Sequence, residues 1–174
     1  MPKVLIVIAP VKFQEHEYHD TRQVLEQAGC EIHVASTAQS CLGKQGMTLE
    51  ADLLLQDVRG IDYAAIVLIG GPGALSLVGN KELESLLKEF QTLDKVIAAI
   101  CIAPVILAQA GVLEKRHATV FPDPEAEEKL KKAGALLNKQ EVILDGKTIT
   151  ANGPAAATRF GHAILGALKL ELAR

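Results

Sequence analysis

The chain opens on a nearly unbroken run of β-branched and aliphatic residues, Lys3-Val4-Leu5-Ile6-Val7-Ile8-Ala9. Such a run, with no polar alternation, is the pattern of a strand buried on both faces. The signature returns at residues 64–69 and 96–100, and more weakly at 31–36 and 118–121. Stretches with helical spacing lie between. One helix is predicted over 17–28, stopped by Gly29. Asn80 caps a second, whose apolar positions Leu83, Leu86, Leu87, Phe90 and Leu93 fall three and four apart. Pro104 begins a short third helix that runs to Ala110.

Residues 37–46 read as a loop and 47–55 as an extended stretch. A charged surface helix is predicted over 124–133. The last, over 155–172, repeats Phe160, Ile164, Leu168 and Leu172 at four-residue steps. Asp145-Gly146, between runs at 141–144 and 148–151, signals a hairpin. Strands alternating with helices imply right-handed crossovers and a mostly parallel sheet covered on both faces. The expectation is one α/β domain over residues 1–174, with a hairpin appended to the sheet.

Composition narrows the function classes. Of 174 residues 49% are hydrophobic and 22% charged, ordinary globular proportions that argue against disorder. Lys plus Arg is 18 against 21 for Asp plus Glu, and 3% of residues are aromatic, with no Trp. A basic, base-stacking nucleic-acid surface does not fit that balance. The apolar runs are too short to span a bilayer, and the strand-like start carries no cleavage signal, so a cytoplasmic location is expected. Cys30, Cys41 and Cys101 are an odd number at wide spacing, which argues against a disulfide framework. They form no zinc-type pattern with the histidines. His16 and His19 could share a helical face and take a metal, or simply be polar residues of a helix's first turn. No metal or cofactor is expected.

Ligands of open parallel sheets gather beyond the carboxyl ends of the strands. Three such ends carry unusual residues. Cys101 sits at a strand-to-helix junction with small residues two away on each side, Ala99 and Ala103. That is the layout of a nucleophile elbow, and a helix N-terminus behind the sulfur favours thiolate. A core cysteine at a buried strand end satisfies the same pattern. Gly70-Gly71-Pro72-Gly73 lets backbone N–H groups approach a ligand as an oxyanion hole, or makes a tight turn and nothing more. Glu15 and Glu17 follow the first strand. Either is a solvated surface residue, or a carboxyl able to act as acid or base beside a cysteine.

Together these segments resemble the ThiJ/PfpI superfamily, which includes the Parkinson-disease protein deglycase and archaeal intracellular-protease relatives. The resemblance runs through the opening strand, Phe13-Gln14-Glu15-His16-Glu17, the double glycine Gly70-Gly71, and Ala98-Ala99-Ile100-Cys101-Ile102-Ala103-Pro104. It continues through Ala110-Gly111-Val112-Leu113, Ala118-Thr119-Val120-Phe121-Pro122 and Asp145-Gly146. It implies a flavodoxin-like three-layer sandwich related to the class I glutamine amidotransferase domain, and a homo-oligomer, dimer or hexamer. By the same resemblance Cys101 is the reactive cysteine, Glu17 the glutamate that hydrogen-bonds its sulfur, and Glu15 a second acidic position of the protease-like branch. Gly70 and Gly71 match glycines whose amides face the sulfur.

Two departures matter. Protease-like members carry His where this chain has Ile102, and the deglycase-like branch has His where this chain has Phe121. His16 is the one histidine placed to reach a pocket mouth, and His117 and His162 read as surface or packing residues. Glutamine amidotransferase chemistry would need a late His-x-Glu, which the chain lacks after His117. The leading expectation is a cofactor-free cysteine enzyme of the glyoxalase III or deglycase type, acting on a small reactive carbonyl. Cys101 and Glu17 would carry the chemistry, with the amides of Gly70, Gly71 and Ile102 as oxyanion donors and Glu15 and His16 as accessories. The alternatives are an oxidative-stress sensor or chaperone acting through an exposed Cys101 thiolate, and an intracellular peptidase, which Ile102 disfavours.

Overall fold

The computed structural model describes residues 1–172, with side chains through Lys169. In chain order the elements are β1 (Lys3–Val7), β2 (Val11–Phe13), α1 (Glu15–Gln27), β3 (Glu31–Ser36), β4 (Ser40–Gly43) and β5 (Thr48–Glu50). There follow β6 (Leu53–Leu54), β7 (Ala65–Leu68), α2 (Lys81–Thr92), β8 (Val96–Ile100), α3 (Pro104–Gln109) and β9 (His117–Ala118). The chain then forms α4 (Pro124–Lys132), β10 (Leu136–Leu137), β11 (Val142–Asp145), β12 (Thr148–Ala151) and α5 (Ala157–Leu172). Among these residues no helix is long and apolar enough to cross a membrane.

Seven strands make the central sheet in the order β11-β12-β8-β7-β1-β3-β6. Every pairing in it is parallel except β11 with β12, the hairpin. Period-two alternation divides each central strand between two cores. Leu5 and Val7 of β1, with Ile97 and Ala99 of β8, face α2, α3 and α4 through Leu83, Phe90, Val105 and Leu130. Val4, Ile6, Val96 and Ala98 face α1 and α5 through Leu25, Phe160 and Ile164. The result is a three-layer α/β sandwich, which is why the central strands carry no polar face. The Leu172 side chain, predicted to continue the α5 stripe, lies outside the described residues.

The structure moves several boundaries. β1 ends at Val7, and the chain turns to form β2, which joins β4 and β5 in a small separate sheet. Part of the predicted loop 37–46 is therefore strand, and 47–55 resolves into β5, β6 and a 3-10 turn, Leu55–Asp57. These strands are two to four residues long, too short for a periodicity signal. The expected strand at 118–121 shrinks to β9, which pairs with β10 outside the central sheet. Asp145 pairs with Thr148, so the hairpin turn is Gly146-Lys147, one residue later than expected.

α1 also starts early. Its N-cap is Gln14, whose side chain accepts from the His16 N–H, so Glu15, His16 and Glu17 form the first helical turn and not a loop. Residues two apart on a helix point about 200° apart. That difference separates the two glutamates.

Candidate active site

β7 and β8 lie side by side and run parallel, so their carboxyl ends deliver Gly70-Gly71 and Cys101 to the same crevice. Cys101 leaves β8 with φ +64, a left-handed conformation uncommon for a residue with a side chain. Two hydrogen bonds hold it there. Its N–H donates to the Ala151 carbonyl of β12 at 2.9 Å, and its own carbonyl accepts from the Phe121 N–H at 2.7 Å. The turn brings the sulfur near the backbone amides of Gly71 and Ile102, which favour its charged form. Ala99 and Ala103 are fully buried beneath. The elbow's flanking residues must be small because they sit in the core, and alanine suffices where glycine is usual.

Glu17 comes from the inward side of α1 and is wholly buried, 0% exposed. Its Oε1 accepts from the Gly70 N–H at 3.0 Å. Its Oε2 is buried and accepts no hydrogen bond from the described residues. Burial pushes this carboxyl up to about 7, against the neighbouring Cys101 thiol, the Gly70 hydrogen bond and the nearby Lys44 cation, which pull it down. Burial, followed by the charge of Glu17, pushes the Cys101 thiol up to about 12, against the Gly71 and Ile102 amides. Two acids packed together out of water cannot both ionise.

The expected exposed thiolate is thus corrected. Cys101 is 8% exposed, and desolvation outweighs the two amides that favour its charge. Gly70 is corrected too. Its amide serves the Glu17 carboxyl, which leaves Gly71 and Ile102 as the donors beside sulfur. Gly70 itself must be glycine for space, since a Cβ there would stand 2.6 Å from Cys101 Cβ and 2.7 Å from the Ile100 carbonyl oxygen. Gly71 has φ +101, and a Cβ there would meet the backbone of Lys12, Phe13 and Gln14.

The accessory residues fall elsewhere. Glu15 turns to the small sheet, where its Oε2 accepts from the N–H groups of Gln45 at 2.6 Å and Met47 at 3.3 Å. It braces the β4–β5 turn. His16 is exposed on the first turn of α1. His117 and His162 are exposed as well, and Cys30 and Cys41 are buried. Two residues near the site carried no sequence signal. Lys44 reaches the field of Glu17 only because β4 brings its loop back, its N–H bonding the Phe13 carbonyl at 2.9 Å. Gln14, the helix cap, ties that loop to Gly70 through an N–H bond to the Gly70 carbonyl at 3.0 Å.

A cysteine held at positive φ on a strand-to-helix turn, with a buried carboxyl and two amides around it, defines a cysteine-elbow protein on an α/β sandwich. Residues 2–167 match the DJ-1/PfpI family, and the chain belongs to it. It is 43% identical over 169 residues to an uncharacterized protein of Methanocaldococcus jannaschii, covering 96% of this chain and 82% of that one. It is 30% identical over 154 residues to a deglycase of Pyrococcus horikoshii, covering 88% and 91% of the two chains. With a glutathione-independent glyoxalase of Caenorhabditis elegans the identity is 27% over 169 residues, 95% and 88% of the chains. The crystal structure of a ThiJ/PfpI domain protein from Brachyspira murdochii superposes with a TM-score of 0.92 at 30% identity, over 97% of this chain and 96% of that one.

Proposed function

We propose that the protein is a cofactor-free cysteine enzyme that converts small 2-oxoaldehydes, such as methylglyoxal, to 2-hydroxy acids. The observation that carries this reading is the Glu17 carboxyl. It is buried against the Cys101 thiol, anchored through Oε1, and left with Oε2 free to accept a proton. Distant relatives named for deglycase and glyoxalase activity support the same carbonyl chemistry.

In the ionised form Glu17 takes the thiol proton as sulfur adds to the aldehyde carbon. The carbonyl π bond becomes an oxyanion facing the amides of Gly71 and Ile102. The proton passes on to that oxygen, giving a hemithioacetal and restoring the carboxylate. Glu17 then removes the C1 hydrogen as a proton, an enediol forms, and the proton returns to C2. The product of this step is a thioester on Cys101, in which C1 has been oxidised and C2 reduced. Water cleaves it to the hydroxy acid and the free thiol, so the sum is the oxoaldehyde plus one water. A base whose pKa lies near 7 suits both transfers.

The peptidase reading lacks an imidazole at positions 102 and 121, and the sensor reading is weakened by a buried thiol of raised pKa. The test is methylglyoxal consumption with lactate as product, comparing the wild type with Cys101→Ala and Glu17→Gln. Turnover falling at least about a thousandfold in both variants is expected, since each removes one of two groups that act as a unit. Trace activity common to all three would overturn the reading.

A further inference from the structure

We infer that Phe121 is a specificity residue of the Cys101 site, selecting carbonyl substrates that carry an aryl or bulky apolar substituent over small or charged ones. This rests on the carbonyl chemistry above and deepens it to a substrate class. Phe121 is 42% exposed, unusual for a phenylalanine next to a buried reactive group. It is not a loosely placed surface residue. Its N–H donates to the carbonyl of Cys101 itself at 2.7 Å, which puts the two backbones at strand-pair separation, about 5 Å.

The ring is located from a second side. Its Cδ2 lies 3.7 Å from where a Cβ at Gly153 would be, and Gly153 follows two residues after Ala151, the partner of the Cys101 N–H. The ring of the segment that binds the Cys101 carbonyl therefore lies against the segment that follows the partner of the Cys101 N–H. Ile102, half-buried, is the apolar residue that follows the nucleophile in the chain. A hemithioacetal forms by joining sulfur to the aldehyde carbon, opening the C=O π bond and moving the thiol proton to oxygen. The substituent on that carbon then extends from the buried sulfur toward solvent, and its contact with the exposed ring of neighbouring Phe121 removes apolar surface from water.

The experiment compares wild type, Phe121→Ala and Phe121→Leu with phenylglyoxal and methylglyoxal. The readout is the ratio of the two kcat/KM values within each protein, which cancels general damage to the site. The ratio is expected to fall about tenfold in Phe121→Ala and less in Phe121→Leu, which keeps apolar bulk. A ratio unchanged within twofold overturns the inference while leaving the carbonyl reading intact. Absence of turnover with either substrate in the wild type overturns that reading instead. Phe121 is then judged on Cys101 alkylation by phenacyl bromide and bromoacetone, in which sulfur displaces bromide and the thiol proton goes to buffer. Intact mass gives the two rates and peptide mass the site. A phenacyl-to-acetonyl ratio that drops about tenfold in Phe121→Ala supports the inference, and an equal ratio overturns it.

Discussion

The two ends of the central sheet are built on opposite rules. At the amino end, polar groups are drawn into contacts that close the fold. Lys95, just before β8, donates from its ammonium to the carbonyls of Gly60 at 2.9 Å and Ile61 at 3.0 Å, and to that of Tyr63. The His33 ring bridges the Tyr63 hydroxyl at 2.8 Å and the Glu31 carboxylate at 2.9 Å. At the carboxyl end polar groups are paired as well, but some buried atoms are left over. Among the described residues, the buried side-chain atoms without a hydrogen bond are Glu15 Oε1, Glu17 Oε2, Thr21 Oγ1 and Ser36 Oγ, and none belongs to the amino end. Backbone strain divides similarly. Asp94 also has positive φ, +52, but it follows the end of α2, where Asp tolerates that conformation. Cys101 takes it at a strand end, against its own preference. One end uses its polar groups for stability, while the other leaves a buried carboxyl oxygen without a partner beside a thiol and two amides.

The sharpest way to break this comparison is to damage the amino end and watch the carboxyl end. Lys95→Met leaves three carbonyls without their shared cationic donor, at a cost of about 3 kcal/mol. For a chain of this size that is a fall in Tm of roughly 6–12 °C, read by calorimetry. Below the transition, the rate of Cys101 alkylation is expected to stay within twofold of wild type. A larger change would show that the two ends are coupled through the strands and do not divide stability from the site.

Much of the stable architecture was legible in the sequence, because buried parallel strands and a capped amphipathic helix such as α2 write themselves as long periodic patterns. Cys101 and Glu17 were also legible, one from small neighbours at a strand end and the other through resemblance to a family. The small sheet was not. β2, β4 and β5 are short, and β2 meets β4 about 30 residues further along the chain, the same separation as the contact of Glu15 with Gln45. The roles of Gly70 and Glu15 escaped for the same reason. Spacing puts a glycine or a glutamate near a site, but only the packed chain decides which partner each one meets.

A smaller effect sharpens the same contrast through pH. Glu17 has its ordinary value of 4.5 in the unfolded chain and is pushed up to about 7 by burial in the folded one. Between those values the native state holds a proton that the unfolded state has released. Stability is therefore greatest below about pH 4.5 and falls as pH rises through about 7, by at most about 3 kcal/mol from this group. Cys101, pushed up to about 12, stays a thiol across that window and adds nothing to it. Glu17→Gln removes the titration. Its stability relative to wild type, from denaturant melts at pH 5 and pH 8, is expected to improve toward the higher pH. A constant difference would mean that the carboxyl is not held against its charge.

The smallest effect isolates the strained backbone. Cys101→Ala and Cys101→Gly both delete the sulfur and its coupling to Glu17, and they differ only in a Cβ at φ +64. A left-handed conformation costs a residue with a Cβ about 1–2 kcal/mol, and glycine gives back part of that gain through the extra freedom of its unfolded chain. Cys101→Gly should then be the more stable of the two by roughly 0.5–1 kcal/mol, in denaturant melts run at one pH. Equal stabilities would mean that the hydrogen bonds to Ala151 and Phe121 impose no strain at the elbow. The expected result would assign that strain to the positioning of sulfur. Two backbone hydrogen bonds hold the residue where an ordinary strand-to-helix turn would not place it, and the amides of Gly71 and Ile102 come to face the sulfur as a consequence.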